Sequence, residues 1–217
     1  MARNKYPEVT VEKILEVAQR LFLEKGYDKT TIQDIVGELG GLTKGAVYHH
    51  FKSKEEIMDA VVNRMFIENN PFDAVRDRSD LNGLEKLREV IQLNQADVVR
   101  TDMTVQSLPI LKNPRVLAGT IVSNREILSP LFYELIEEGN RDGSIHTEYS
   151  RELSELLPFL TSIWLTPSMF PATTNELQDK FKFLADMLDK MGLPLIDDKI
   201  MELINDFFEK FELSVPK

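Results

Sequence analysis

Thr43, Lys44, Gly45, Ala46, Tyr48, His49 and Lys52 bring hydrogen-bond donors and small side chains together within ten residues. Such a set suits a surface that meets phosphate oxygens and base edges. Tyrosine and histidine can donate to phosphate, main-chain N–H groups at a helix start can do the same, and glycine and alanine permit close approach. Other chemistries lack their parts. The chain holds no cysteine, so it has no disulfide framework, thiolate metal site or cysteine nucleophile. His49 and His50 are neighbours on a helix and point in different directions, which disfavours one metal between them. His146 is the remaining histidine and follows Gly143 in a loop. No Glu-x-x-His pair of the di-iron kind is present, nor a nucleophile elbow, nor a phosphate-cradling glycine loop. No catalytic residue, metal or cofactor is therefore assigned. Glu137-Glu138 and Asp197-Asp198 read as a solvated helix face and a helix-start charge cluster.

The elements that must position the donor set are helical. Apolar residues recur at three- and four-residue spacing throughout, with no alternating strand pattern, so the fold class is all-α. Ile14, Leu15, Ala18, Leu21 and Phe22 define a first helix closed by Gly26. Thr30 with Gln33 predicts a capping box for a short second helix carrying Ile32, Ile35, Val36 and Leu39 and ending at Gly40-Gly41. Thr43 caps a third, from Lys44 to about Phe51, anchored by Val47 and Phe51 alone. Ser53 and Glu56 open a fourth through Ile57, Met58, Val61, Val62, Met65 and Phe66. Beyond it the pattern predicts helices over about 81–100, 104–112, 115–128, 150–166, 175–191 and 197–213. Ser129-Pro130 either starts a new helix or kinks a long one, and Pro158 bends the helix that contains it. Two short helices joined by a glycine turn, the second showing a polar face, form the arrangement by which a recognition helix enters a major groove.

The stretch from Gly26 to Ile35, followed by Thr43-Lys44-Gly45-Ala46-Val47-Tyr48-His49-His50-Phe51-Lys52-Ser53-Lys54-Glu55-Glu56, resembles the N-terminal domain of TetR-family regulators over about residues 10–62. The resemblance implies a helix-turn-helix domain over residues 1–53 and a helical effector-binding and dimerisation domain over 54–217, linked by a helix at 54–68. It implies base-edge contact by Thr43, Lys44, Gly45 and Ala46, with Gln33 reaching the groove from the second helix. Thr31, Tyr48, His49 and Lys54 would hold phosphates. The turn Gly40-Gly41-Leu42 carries one residue more than the family usually has.

The implied protein is a ligand-responsive repressor, a homodimer released from a palindromic double-stranded DNA operator by a small-molecule effector. The alternative is the same fold acting as a coactivator or protein-interaction module without sequence-specific DNA binding. Candidate effector-pocket residues are Met65, Phe66, Leu87, Ile91, Met103, Leu108, Phe132 and Trp164. The wide stripes of the last two helices, Leu177, Phe181, Leu184, Leu188, Ile200, Leu203, Phe207 and Phe211, are the expected dimer interface.

Composition sets the outer bounds. The chain has 217 residues, 42% of them hydrophobic, enough for a sizeable core. Its net charge is −10, unevenly spread: residues 1–66 hold ten basic and ten acidic residues, leaving 16 basic and 26 acidic for the rest. A neutral head on an acidic body would orient the molecule toward DNA, with the body repelled. Neither a signal peptide nor an apolar run of bilayer length is seen, so the expectation is a cytoplasmic protein with no membrane partner.

Overall fold

The computed structural model describes residues 7–214, with side chains described over residues 10–206. Among them are twelve α-helices, two π turns and one 3-10 turn, with no strand. No helix among them is long and apolar enough to cross a membrane.

The head consists of α1 (Pro7–Lys25), α2 (Ile32–Glu38) and α3 (Lys44–His50). Ile14, Ala18, Leu21 and Phe22 of α1 are fully buried against Ile35 of α2 and Val47 of α3. Each of these side chains apart from that of Ala18 contributes roughly 1.5–3 kcal/mol by leaving water. Gly26 closes α1 at φ +82°, in the left-handed region that only glycine enters cheaply. The cap of α2 sits one residue later than the sequence pattern predicts. Thr31 and Asp34 form the reciprocal box, whereas Thr30 is wholly buried and donates its hydroxyl to the carbonyls of Leu21 and Gly26. A buried hydroxyl takes the partner that burial supplies, so Thr30 ties off α1 instead of starting α2.

Helix α4 (Lys54–Glu68) buries Ile57, Met58, Val61 and Met65 in the same core as the head. Met103, Ile110, Leu111 and Val116 complete that core from far along the chain. The head, α4 and one end of the body thus share a single packed interior.

The body continues through α5 (Pro71–Arg76), α6 (Gly83–Ala96) and α7 (Val98–Ser107), then a 3-10 turn at Leu108–Lys112. The helix expected over 81–100 is broken. Asp97 ends α6 and caps α7 through Arg100 N at 3.0 Å, turning Val98 and Val99 outward. Arg100, itself buried, donates to the Asn69 carbonyl at 2.7 Å and so closes the end of α4.

Helix α8 (Pro114–Ser123) runs through a π turn at Asn124–Leu128 into α9 (Ser129–Asp142). Pro130 therefore kinks one long helix. Lacking an N–H, proline leaves the ladder before it to widen by one residue. Helix α10 (Ser150–Phe159) passes through Pro158 into a second π turn, Leu160–Trp164. The two irregular turns meet where Asn124 Nδ2 donates to Ser162 Oγ at 2.8 Å.

Helices α5, α6, α9, α10 and α11 (Thr174–Lys190) enclose a second core around Leu87, Ile136, Ile145, Leu184 and Leu188. Helix α6 crosses α9 at Gly83 against Gly139. A β-carbon on Gly83 would run into the Gly139 backbone and the Leu135 carbonyl, so the close crossing requires glycine there. Helix α12 (Asp198–Ser214) packs on α11 through Ile200 and Ile204 against Leu177.

Candidate nucleic-acid interface

Helix α3 has seven residues, and its orientation comes from three local features. Thr43 begins it, its hydroxyl accepting from Ala46 N at 3.2 Å. Val47 and Phe51 hold one side in the head core. Lys52 ends it, with Nζ donating to the carbonyls of Tyr48 at 3.0 Å and His49 at 3.4 Å, where a cation also favours the helix dipole. The turn before it depends on Gly40 and Gly41, with φ of +58° and +106° in succession. Side chains with a β-carbon would strain both positions.

Gly45, Tyr48 and His49 are exposed on the side away from Val47, Thr43 and Lys44 are exposed at the helix start, and Ala46 is partly exposed. Gly45 leaves that face smooth, since a β-carbon there would meet nothing nearer than the Thr43 hydroxyl at 3.7 Å. The Lys44 ammonium stands 5.8 Å from the centre of the Tyr48 ring. The rings of His49 and His50 meet edge to face at 5.0 Å. Burial first, then the charges of His49 and Lys52, hold His50 below the usual histidine pKa. Gln33 is exposed on α2. The geometry brings one protruding short helix together with donors at Lys44, Tyr48 and His49 and two small residues between them.

Two of the nine candidates already have partners for their side-chain donors. Thr31 is exposed, but its hydroxyl and its amide both donate to the Asp34 carboxylate, at 2.6 and 2.8 Å. Those bonds hold Asp34 below the ordinary carboxylate range. Lys54 donates to the carbonyls of Tyr27 at 2.7 Å and Thr30 at 2.9 Å, and stands 4.1 Å over the Tyr27 ring. In this arrangement Lys54 is a clamp across the turn between α1 and α2. No spacing rule signals that clamp, because its partners lie 24 and 27 residues away.

The eight effector-pocket candidates do not share one cavity. Met65 and Met103 belong to the head-side core, whereas Leu87, with Phe66, Ile91, Phe132 and Trp164 packed around it, belongs to the body core. Leu108 is partly buried in the 3-10 turn. A cavity of about 10 Å³ lies among Phe72, Arg76, Leu131, Glu134, Leu135 and Glu138, which is room for one water. A wider surface groove of about 420 Å³ follows α1 beside Arg64 and is lined by Glu16, Gln19, Arg20, Leu23 and Glu24. None of the eight lines either space.

Of the dimer candidates, Leu177, Leu184, Leu188 and Ile200 are buried within their own chain, and Phe181 and Leu203 are partly buried. The side chains of Phe207 and Phe211 lie outside the described residues. The apolar groups that α10 and α11 turn outward are instead Leu156, Phe159 and Phe183. Phe183 also packs edge to face with Trp164 at 6.0 Å.

Residues 14–61, from within α1 to the middle of α4, match the family model described as bacterial regulatory proteins, tetR family. The chain is 33% identical over 84 residues to the transposon Tn10 TetC protein of Escherichia coli, an alignment covering 38% of this chain and 41% of TetC. It is 38% identical over 136 residues to the HTH-type transcriptional repressor KstR2 of Mycobacterium tuberculosis, covering 58% of this chain and 66% of KstR2. Each match thus spans less than two thirds of the relative. A transcriptional regulator from Cytophaga hutchinsonii shares the fold, with a TM-score of 0.56 at 16% identity over 93% of each chain. Over residues 14–61 the chain thus carries the N-terminal domain of the tetR family of bacterial regulatory proteins.

Proposed function

We propose that the protein is a cytoplasmic DNA-binding transcriptional repressor, dimeric on its operator and released by a small-molecule effector. The observation that carries this reading is the face of α3, a capped and core-anchored short helix whose outward side holds Thr43, Lys44, Gly45, Tyr48 and His49 and nothing bulky and apolar besides the tyrosine ring. Tyr48 and His49 contact phosphates, Thr43 to Ala46 lie along base edges and Gln33 joins them from α2. A relative named as a transcriptional repressor supports the direction of regulation.

The dimer forms through the outward faces of α10 and α11, with Leu156, Phe159 and Phe183 at its centre. Exposed phenylalanines on adjacent helices support that choice. Two copies of α3 then enter successive major grooves, about one helical turn apart. The effector opens a space among the helices of the body and is bound better by a state with the heads wrongly spaced, so that DNA and effector oppose each other reciprocally. The cavity beside Phe72 itself has room for no more than a water, so an effector entering there parts the helices around it.

The reading is tested by replacing Tyr48 and His49 together with alanine and measuring binding to many duplexes. A loss of roughly tenfold or more, similar on every sequence, is the expected outcome for two phosphate contacts. Unchanged binding would exclude those contacts, and a loss confined to some sequences would make them base contacts.

A further inference from the structure

Two polar ties join the head, or the start of α4 beside it, to later helices across long stretches of sequence. In the first, the Gln106 side chain on α7 accepts the Tyr27 amide at 2.8 Å, while its own amide group donates to Asp102 at 2.9 Å. Tyr27 stands in the turn between α1 and α2, the turn that Lys54 clamps by its carbonyl. In the second, Arg115 on α8 meets one oxygen of Glu56 at 3.0 Å. The other oxygen of Glu56 accepts the Lys52 amide at 2.7 Å, and the Lys52 side chain closes the carbonyl end of α3.

Apolar packing through α4 fixes how near the head lies to the body, but it has little directional preference. Hydrogen bonds at two separated points on the head add direction, because each weakens steeply as its angle departs from linear. The pair of Arg151 with Glu155, by contrast, stays within α10 and restrains nothing beyond it, and the inter-helix pair of Arg64 with Glu12 ties α4 to α1 without reaching the later helices. Arg115 and Gln106 differ in that each ends, through one intermediary at most, on backbone that borders α3 or α2.

We propose that Arg115 and Gln106 are positioning residues for DNA binding: through Glu56 and the Tyr27 amide they hold α3 at the angle that admits it to the groove, so that displacement of α7 or α8 in the body is felt at α3. This inference rests on the DNA-binding reading above and specifies how the body governs that site. The described arrangement is the competent one, and loss of either tie lowers affinity. The effect at Arg115 is small because its side chain is 68% exposed. That at Gln106 is larger because its bond is partly buried.

The test uses the full chain and a duplex enriched by the unaltered protein from a random pool. Arg115→Gln is compared with Arg151→Gln, which removes the same charge at a site remote from the head and so controls for bulk electrostatics. Arg115→Gln should weaken binding about threefold beyond that control and Gln106→Ala about fivefold. Arg115→Lys should restore most of the loss, and Glu56→Gln added to Arg115→Gln should cost nothing further. Hydrogen exchange in the DNA-free protein should be faster at Lys52 and along α3 in Arg115→Gln, and unchanged there in Arg151→Gln. Equal affinity and equal exchange for these two variants would overturn the proposal. If the unaltered protein enriches no duplex, the DNA reading falls, while the exchange comparison still decides whether Arg115 positions α3.

Discussion

At the scale of single residues, the candidates divide by whether their donors are already engaged. The sequence pattern identifies the polar face of α3 because Val47 and Phe51, four apart, mark the inward side and leave Gly45, Tyr48 and His49 to face away. It does not identify what Lys54 does, since both carbonyls that Lys54 meets belong to a turn more than twenty residues earlier. Lys54→Met keeps most of the stem and removes the ammonium. It should lower stability by about 2 kcal/mol, from two charge-assisted bonds and a cation–π contact partly offset by solvation. The slope of log affinity against log salt should stay as it was. A slope reduced by about one, with stability intact, would instead make Lys54 a phosphate contact. The same reasoning applies to Thr31, whose hydroxyl hydrogen is directed at Asp34. The sequence pattern put the capping box at Thr30 because Thr30-Thr31 offers two equivalent starts, and only burial distinguishes them.

Among the elements, the existence of most helices was legible, though not that of α5, which Asn70 caps and Pro71 begins, and helix continuity was not. Val98 and Val99 continue an apolar pattern across residues 81–100, yet they are 75% and 47% exposed. The break follows from Asp97, whose carboxylate caps α7, an event no apolar period records. Pro130 and Pro158 were legible as irregularities, but their outcome, a π turn beside each within a continuing helix, depends on how the two turns meet at Asn124 and Ser162.

The contact of α4 with α8 has a further consequence. Asp59 on α4 is half-buried against α8, where its carboxylate would lie 3.8 Å from a β-carbon on Gly119. Burial first, then the nearby Glu56 charge, push its pKa up to about 6. The folded state therefore holds this proton more tightly than the unfolded chain does. Ionised Asp59 costs stability near neutral pH, and the cost fades as pH falls through 6 toward 4. Asp59→Asn should raise the melting temperature at pH 7.5 and lose that advantage by about pH 4. An advantage independent of pH over this range would assign the effect to packing instead.

For the whole molecule, the sequence already contained the division between a neutral head and an acidic body. It also contained the wide apolar stripes near the C-terminus, but not which side of them faces out. Leu177, Leu184, Leu188 and Ile200 build the chain's own interior, and the outward groups come from α10 as well as α11. Replacing Phe159 and Phe183 together with aspartate should convert a dimer to a monomer in sedimentation, because two carboxylates would then be buried without partners. Helical content should be retained, since both side chains are exposed within one subunit. A dimer that persists would locate the interface on another face.

The charge distribution bears most directly on how the protein finds DNA. With ten basic and ten acidic residues in its first 66, the head has no bulk attraction for phosphate. On the proposed reading, affinity comes from the placed donors of α3 and α2, doubled by the proposed two-fold symmetry. Selection of bound duplexes from a random pool by the full chain tests this most directly. The expected outcome is an enriched motif with two-fold symmetry, its half-sites about one helical turn apart or slightly more. Enrichment of no motif, or of a single asymmetric one, would contradict it.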